Sequence, residues 1–167
     1  AGLVVFSVIT VFLVTVRNDL APSGLSTAEM QSAATSATFS FAHPLQQSIL
    51  DLPYRLMQKL SMSVLGITEF SIVLPSIVFA IMTSIAFLMM VRRWFRPNVA
   101  LITGLIFVTS AAFLTLARTG FAEIMTTFWL SLLLLAVTNI VHPEGKTRLW
   151  FLALVFILPL SLYTPLM

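Results

Sequence analysis

Cysteine is absent from this chain of 167 residues. A disulfide framework, a thiolate metal site and a cysteine nucleophile are thereby excluded, and the redox compartment is left undetermined. Charge is scarce as well: Asp, Glu, Lys and Arg make up 9% of the chain while hydrophobic residues make up 59%, against about 25% and 45–50% in a soluble domain. The composition defines an integral membrane protein. The net charge of +3 arises from nine Lys and Arg against six Asp and Glu, but most of the cations cap apolar runs, where membrane topology selects them, so nucleic-acid binding is not expected. No apolar run carries an ionisable residue in its middle and no internal repeat is seen, which disfavours a transporter.

What is present is a series of apolar runs, the last four each about long enough to cross a hydrocarbon core of about 30 Å as a helix. They cover residues 1–16, 71–91, 99–117, 121–141 and 149–167, giving about five spans in an all-α, multi-spanning bundle, read as a single membrane domain over 1–167. The first run is short, about 24 Å as a helix, and is read as a truncated first span rather than a signal peptide. Arg92, Arg93, Arg96, Lys146 and Arg148 fall in two short connectors, which the positive-inside rule puts in the cytoplasm. By alternation the N-terminus is cytoplasmic and the loop 17–70 external, in a plasma membrane of bacterial type.

The polar part of that loop, Arg17 to Gly66, is expected to form two juxtamembrane helices. Ser26-Thr27-Ala28-Glu29 is a capping box, with Pro22 and Gly24 turning the chain before it. The helix it opens passes through Met30, Ala33, Ala34 and Ala37, small enough for close packing. A second helix is predicted from about Leu45 to Leu65, with Ile49, Pro53, Leu56, Leu60 and Val64 forming an apolar stripe and Asp51, Arg55, Gln58 and Lys59 mostly off it. Such a helix lies in the interface plane, and Gly66 is placed to end it.

The order of these features resembles the C-type membrane glycosyltransferases, the group that includes protein O-mannosyltransferases and the lipid A aminoarabinose transferase. The resemblance rests on Leu25 to Ala33 at the first loop helix, on Leu52-Pro53-Tyr54-Arg55-Leu56, and on Leu65-Gly66-Ile67-Thr68-Glu69-Phe70 with Leu74-Pro75-Ser76. It continues in Arg92-Arg93-Trp94-Phe95 and in Ala117-Arg118-Thr119-Gly120 with Glu123. It covers nearly the whole chain, as the N-terminal part of a bundle that is usually larger, and it implies transfer of a sugar from a polyprenyl-phosphate donor to an acceptor at the external membrane face. In one respect the chain departs from the pattern. Where the family has an Asp-Glu pair, this loop has Ala28-Glu29.

Such a transfer needs a carboxylate to take the acceptor's proton and cations to hold the departing phosphate. Glu29 is the first candidate base and Asp19 the second, although Glu29 also has a purely structural reading as a helix cap. Arg118 can offer a bidentate fork to a phosphate. Arg55 and Lys59, one helical turn apart, are further candidates for the lipid phosphate or for anionic headgroups, with Glu123 and His43 as further substrate-binding candidates. His43 and His142 are expected on opposite sides of the membrane, so no protein-built metal site is expected. No cofactor is required by the sequence, and an external divalent cation is compatible with it. The expected partners are a lipid-linked sugar donor and membrane lipids. The alternative reading is a non-catalytic membrane module of the same fold that binds a polyprenyl lipid or a partner protein.

Overall fold

A computed structural model describes residues 6–11, 27–37, 52–119, 122–142 and 147–162 and, for Ala28, Glu29, Leu52 and Glu69, the backbone only. Every regular element among the described residues is a helix. Helix α1 comprises residues 6–11. It is followed by α2 (Thr27–Ala37), α3 (Leu52–Leu65), α4 (Glu69–Trp94), α5 (Pro97–Thr109), α6 (Ala111–Arg118), α7 (Glu123–Val141) and α8 (Thr147–Leu162).

Among the described residues, α4 and α7 are long and apolar enough to cross a membrane, and α5 with α6 makes a third span if the bent pair is counted as one. The expected runs 71–91 and 121–141 therefore lie on α4 and α7. The run 99–117 is corrected in shape: it is broken at Ser110, where the axis turns by 59°. Ser110 has extended backbone (φ −63°, ψ 137°), ends α5 and caps α6, its hydroxyl accepting from Phe113 N–H. Helix α8 has 16 described residues and buries none of them. The run 1–16 is described only over 6–11.

Helix α4 is the axis of the bundle. Its first half meets the first half of α7 where the Phe79 and Phe128 rings lie 5.2 Å apart. Its last residue, Trp94, meets the end of α7 through His142, with ring centroids 4.9 Å apart and planes at 90°. The two helices therefore run in the same direction. Helix α5 returns against α4, with Phe87 and Phe107 stacked at 4.3 Å. The buried face of α5 is Ala100, Gly104 and Val108, one residue per turn. Gly104 is what lets α1 close on it: a Cβ there would stand 2.9 Å from the Phe6 ring and 3.1 Å from Leu88. The cations divide accordingly. Arg92 and Arg93 lie in the last turn of α4 and Arg96 before α5, with Arg148 in the first turn of α8, all at one end of the bundle.

The entry to α4 carries a cap that the sequence reading missed. Thr68 accepts from Ser71 N–H at 3.2 Å while Ser71 Oγ accepts from Thr68 N–H at 3.1 Å, a capping box in which Ser71 takes the part usually played by Glu or Gln. Gly66 ends α3 as expected, with φ +76°, a conformation that favours glycine. Pro75 then sits inside α4. Having no N–H, it leaves the Ser71 carbonyl without its helical donor, and Ser61 Oγ of α3 donates to that carbonyl at 2.7 Å. Replacing Ser61 by Ala should therefore cost about 1–3 kcal/mol, the range for an abandoned buried acceptor. In a Pro75→Ala background, which restores the backbone donor, the same change should cost clearly less. Thermal unfolding of the four variants of this cycle in detergent measures the coupling, and additive costs would contradict it.

Candidate functional site

The site is built where α2 and α3 dock on the start of α4. On α3, residues Tyr54, Gln58, Ser61 and Met62 are buried, at i, i+4, i+7 and i+8. Three of the four carry polar atoms, and each of those is matched. Tyr54 Oη lies 2.8 Å from Ser76 Oγ. Gln58 Oε1 accepts from Ser36 Oγ of α2 at 2.6 Å while its Nε2 donates to the Ile72 carbonyl at 3.2 Å. Ser61 supplies the bond to Ser71 described above. One buried glutamine thus ties α2, α3 and α4 together, with Ala33, Met62 and Ile72 forming the apolar part of the same junction.

The apolar stripe of α3 faces the other way. Leu60 and Val64 are 62% and 76% exposed, as is Ile67 just beyond the helix at 81%. In water this would be an inverted amphipathic helix. Beside hydrocarbon the arrangement follows from physical chemistry, because lipid accepts the apolar face and polar atoms must find partners inside the protein. On this outer face Leu56, Met57, Lys59, Leu60 and Ser63 line an open groove of about 360 Å³.

The aromatic chain Tyr54–Phe79–Phe128–Trp129, with successive ring centroids 6.3, 5.2 and 5.1 Å apart, fixes α3 at the same end of the bundle as the start of α7. That end also holds Arg118, in the last turn of α6, and Glu123, in the first turn of α7. Glu123 is exposed and suits the positive end of the helix dipole. Arg118 is half-buried, and its Nε is enclosed. Deeper in α7, the Trp129 indole N–H is buried and has no hydrogen-bond acceptor among the described residues. Left unmatched, such a donor costs about 1–3 kcal/mol, and so stands out as one that a bound oxygen would satisfy.

Of the residues singled out in the sequence, Arg55, Lys59, Arg118 and Glu123 therefore occupy one end of the bundle, on two separate segments. Only Lys59 of these four lines the groove. Glu29 belongs to α2, which packs on α3, and its side chain lies outside the described residues. Asp19 and His43 lie outside them altogether, as does the Ser26 cap. Among the described residues no group of three His, Asp or Glu is placed to hold a metal ion. Sequence reading missed Tyr54, Gln58 and Ser61, although their spacing of four and three put them on one helical face from the start. Thr138 bonds between helices, accepting from Trp94 Nε1 at 3.3 Å. Beside it, Asn139 Nδ2 donates to Leu135 O in its own helix.

Apolar helices of this length, held together by interhelical hydrogen bonds and carrying a polar helix pair at one end, define a polytopic α-helical membrane protein. The family model described as dolichyl-phosphate-mannose-protein mannosyltransferase matches residues 52–164, from the first residues of α3 to beyond α8, and the chain belongs to that family. No curated protein and no solved structure gives a match.

The Gln58 bridge can be tested without reference to activity. Gln58→Leu should leave Ser36 Oγ without its buried acceptor and loosen α2 by about 1–3 kcal/mol. Amide exchange across 27–37 should rise roughly tenfold for each 1.4 kcal/mol lost, while exchange in α4 and α7 stays as in the parent.

Proposed function

We infer that the protein is a glycosyltransferase that moves a sugar from a polyprenyl-phosphate donor to an acceptor at the membrane face carrying α2 and α3. The observation that carries this reading is the family match over α3 to α8, a family whose description specifies dolichyl-phosphate mannose as donor and protein as acceptor. The position of Arg118 supports it: a half-buried guanidinium at the same bundle end as the α2–α3 pair.

In this reading the acceptor oxygen attacks the anomeric carbon of the sugar. The bond from that carbon to the phosphate oxygen breaks, and its electron pair leaves with the polyprenyl phosphate. Glu29 on α2 takes the proton from the attacking hydroxyl, with Asp19 as the second candidate. Arg118 stabilises the charge growing on the phosphate, a task suited to its fork of donors, and Arg55 and Lys59 on α3 hold the lipid phosphate at the interface. Glu123 and His43 serve as acceptor-side contacts. The outer groove beside Lys59 has the apolar lining that a donor tail requires. Five spans with a cytoplasmic N-terminus complete the arrangement, and this puts the end bearing Arg92, Arg93, Arg96 and Arg148 in the cytoplasm.

Transfer of sugar from a polyprenyl-phosphate donor, measured in proteoliposomes, tests the proposal. Glu29→Gln should lower the rate by about 10²–10⁴-fold, the usual contribution of a positioned base. Arg118→Ala should lower it by about 10²–10³-fold, as for other donors aimed at developing charge, with Arg118→Lys recovering part of the loss. Unchanged transfer in Glu29→Gln would make Glu29 a helix cap only. Absence of transfer by the parent protein, with donor binding retained, would favour the non-catalytic lipid-binding module instead.

A further inference from the structure

The end of the bundle opposite the candidate site has features that sugar transfer does not use. Trp94 closes α4 and is 57% exposed, yet it is held by a hydrogen bond from Nε1 to Thr138 Oγ1 and by the edge of its ring against His142. Thr138 is 5% exposed, so the acceptor is part of the core and the indole is fixed to α7 rather than free at a helix end. Three chain segments carry cations to this same end of the bundle. Arg92 and Arg93 come from the end of α4, Arg96 from the turn into α5, and Arg148 from the first turn of α8. Among the described residues no acidic side chain lies in the last turns of α4 and α7 or the first turns of α5 and α8. The surface beside the cations is apolar: Phe95, Val99, Val141 and Leu149 are 58%, 45%, 59% and 58% exposed.

We propose that this end of the bundle is a binding site for an anionic phospholipid, with the headgroup phosphate held by Arg92, Arg96 and Arg148 and the upper acyl chains laid against Phe95, Val99, Val141 and Leu149. Membrane topology alone would place arginines at a helix end, but it makes no demand that an aromatic ring there be locked by a buried hydroxyl. The lock matters because α4 and α7 are separate helices. By fixing their ends together, it holds the arginines from the α4–α5 turn near the start of α8, which packs on α7. A ligand matching this surface must carry a negative head and apolar tails together. Free phosphate satisfies only the first requirement and a zwitterionic lipid only the second.

The purified full chain in neutral detergent is titrated with short-chain phosphatidylglycerol, short-chain phosphatidylcholine and inorganic phosphate, and retained ligand is counted by native mass spectrometry. Phosphatidylglycerol should bind at least tenfold more tightly than either of the others, and the preference should shrink as salt is raised. Each of Arg92→Gln, Arg96→Gln and Arg148→Gln should weaken it by about fivefold, the equivalent of roughly one charge near an anionic headgroup. Arg92→Lys, which keeps the charge, should weaken it by less than twofold. Thr138→Val, which removes the acceptor without altering charge, should reduce the preference for phosphatidylglycerol while leaving helix content by circular dichroism unchanged. Equal binding of phosphatidylglycerol and phosphatidylcholine would overturn the proposal. So would phosphate binding as tightly as the lipid, or equal losses in Arg92→Gln and Arg92→Lys.

Discussion

The structure depends on one bond that the sequence makes necessary and another helix supplies. Pro75 sits inside the longest helix and cannot donate to the Ser71 carbonyl, and in hydrocarbon no water is available to do so. Ser61 provides the donor. That bond brings α3 against α4 at a fixed height, and from there Gln58 and Tyr54 reach Ile72 O, Ser36 and Ser76. The junction of α2, α3 and α4 thus grows outward from a defect in a backbone ladder. The same proline that weakens α4 as a helix specifies what must pack beside it.

This constraint also explains the orientation of α3. Its polar residues turn inward because the carbonyls and hydroxyls they serve are inside, and its leucine and valine stripe turns outward by elimination. Hydrophobicity does not drive two apolar helices together in lipid, so the specificity of the contact rests on hydrogen bonds and close packing of small residues. Ala33 and Ser36 on α2 and Gly104 on α5 play that second part. Along α8 no described residue is fully buried, and Ile157 packs against the core only in part.

Much of this was legible in the sequence. The runs on α4 and α7 were evident because long apolar segments admit one structure in a membrane, and Gly66 was evident because only glycine takes its φ readily. The break at Ser110 was not, since Thr109 and Ser110 occur commonly within spanning helices and nothing in their identity signals a 59° turn. The inward face of α3 was also missed. The periodicity of Leu56, Leu60 and Val64 identified a stripe correctly but gave no sign of which environment it would meet, and Gln58 was grouped with the polar face when its role is to bridge three helices. For the candidate site, Arg118 and Glu123 were picked singly and Arg55 and Lys59 as a pair one helical turn apart. That they share an end of the bundle follows from ring contacts between Tyr54, Phe79 and Phe128, which join residues up to 49 positions apart and leave no trace in local pattern.

The turn at Ser110 sets a depth. Helix α6 has eight residues, about 12 Å of rise, and inclining it by 59° shortens its reach along the α5 axis by about 6 Å. Arg118, at its tip, is thereby held that much closer to the middle of the bundle than a straight helix would leave it, and its Nε is enclosed there. A cation at that level is less hydrated, and its field is weakened less by solvent, so its pull on an anion extends farther.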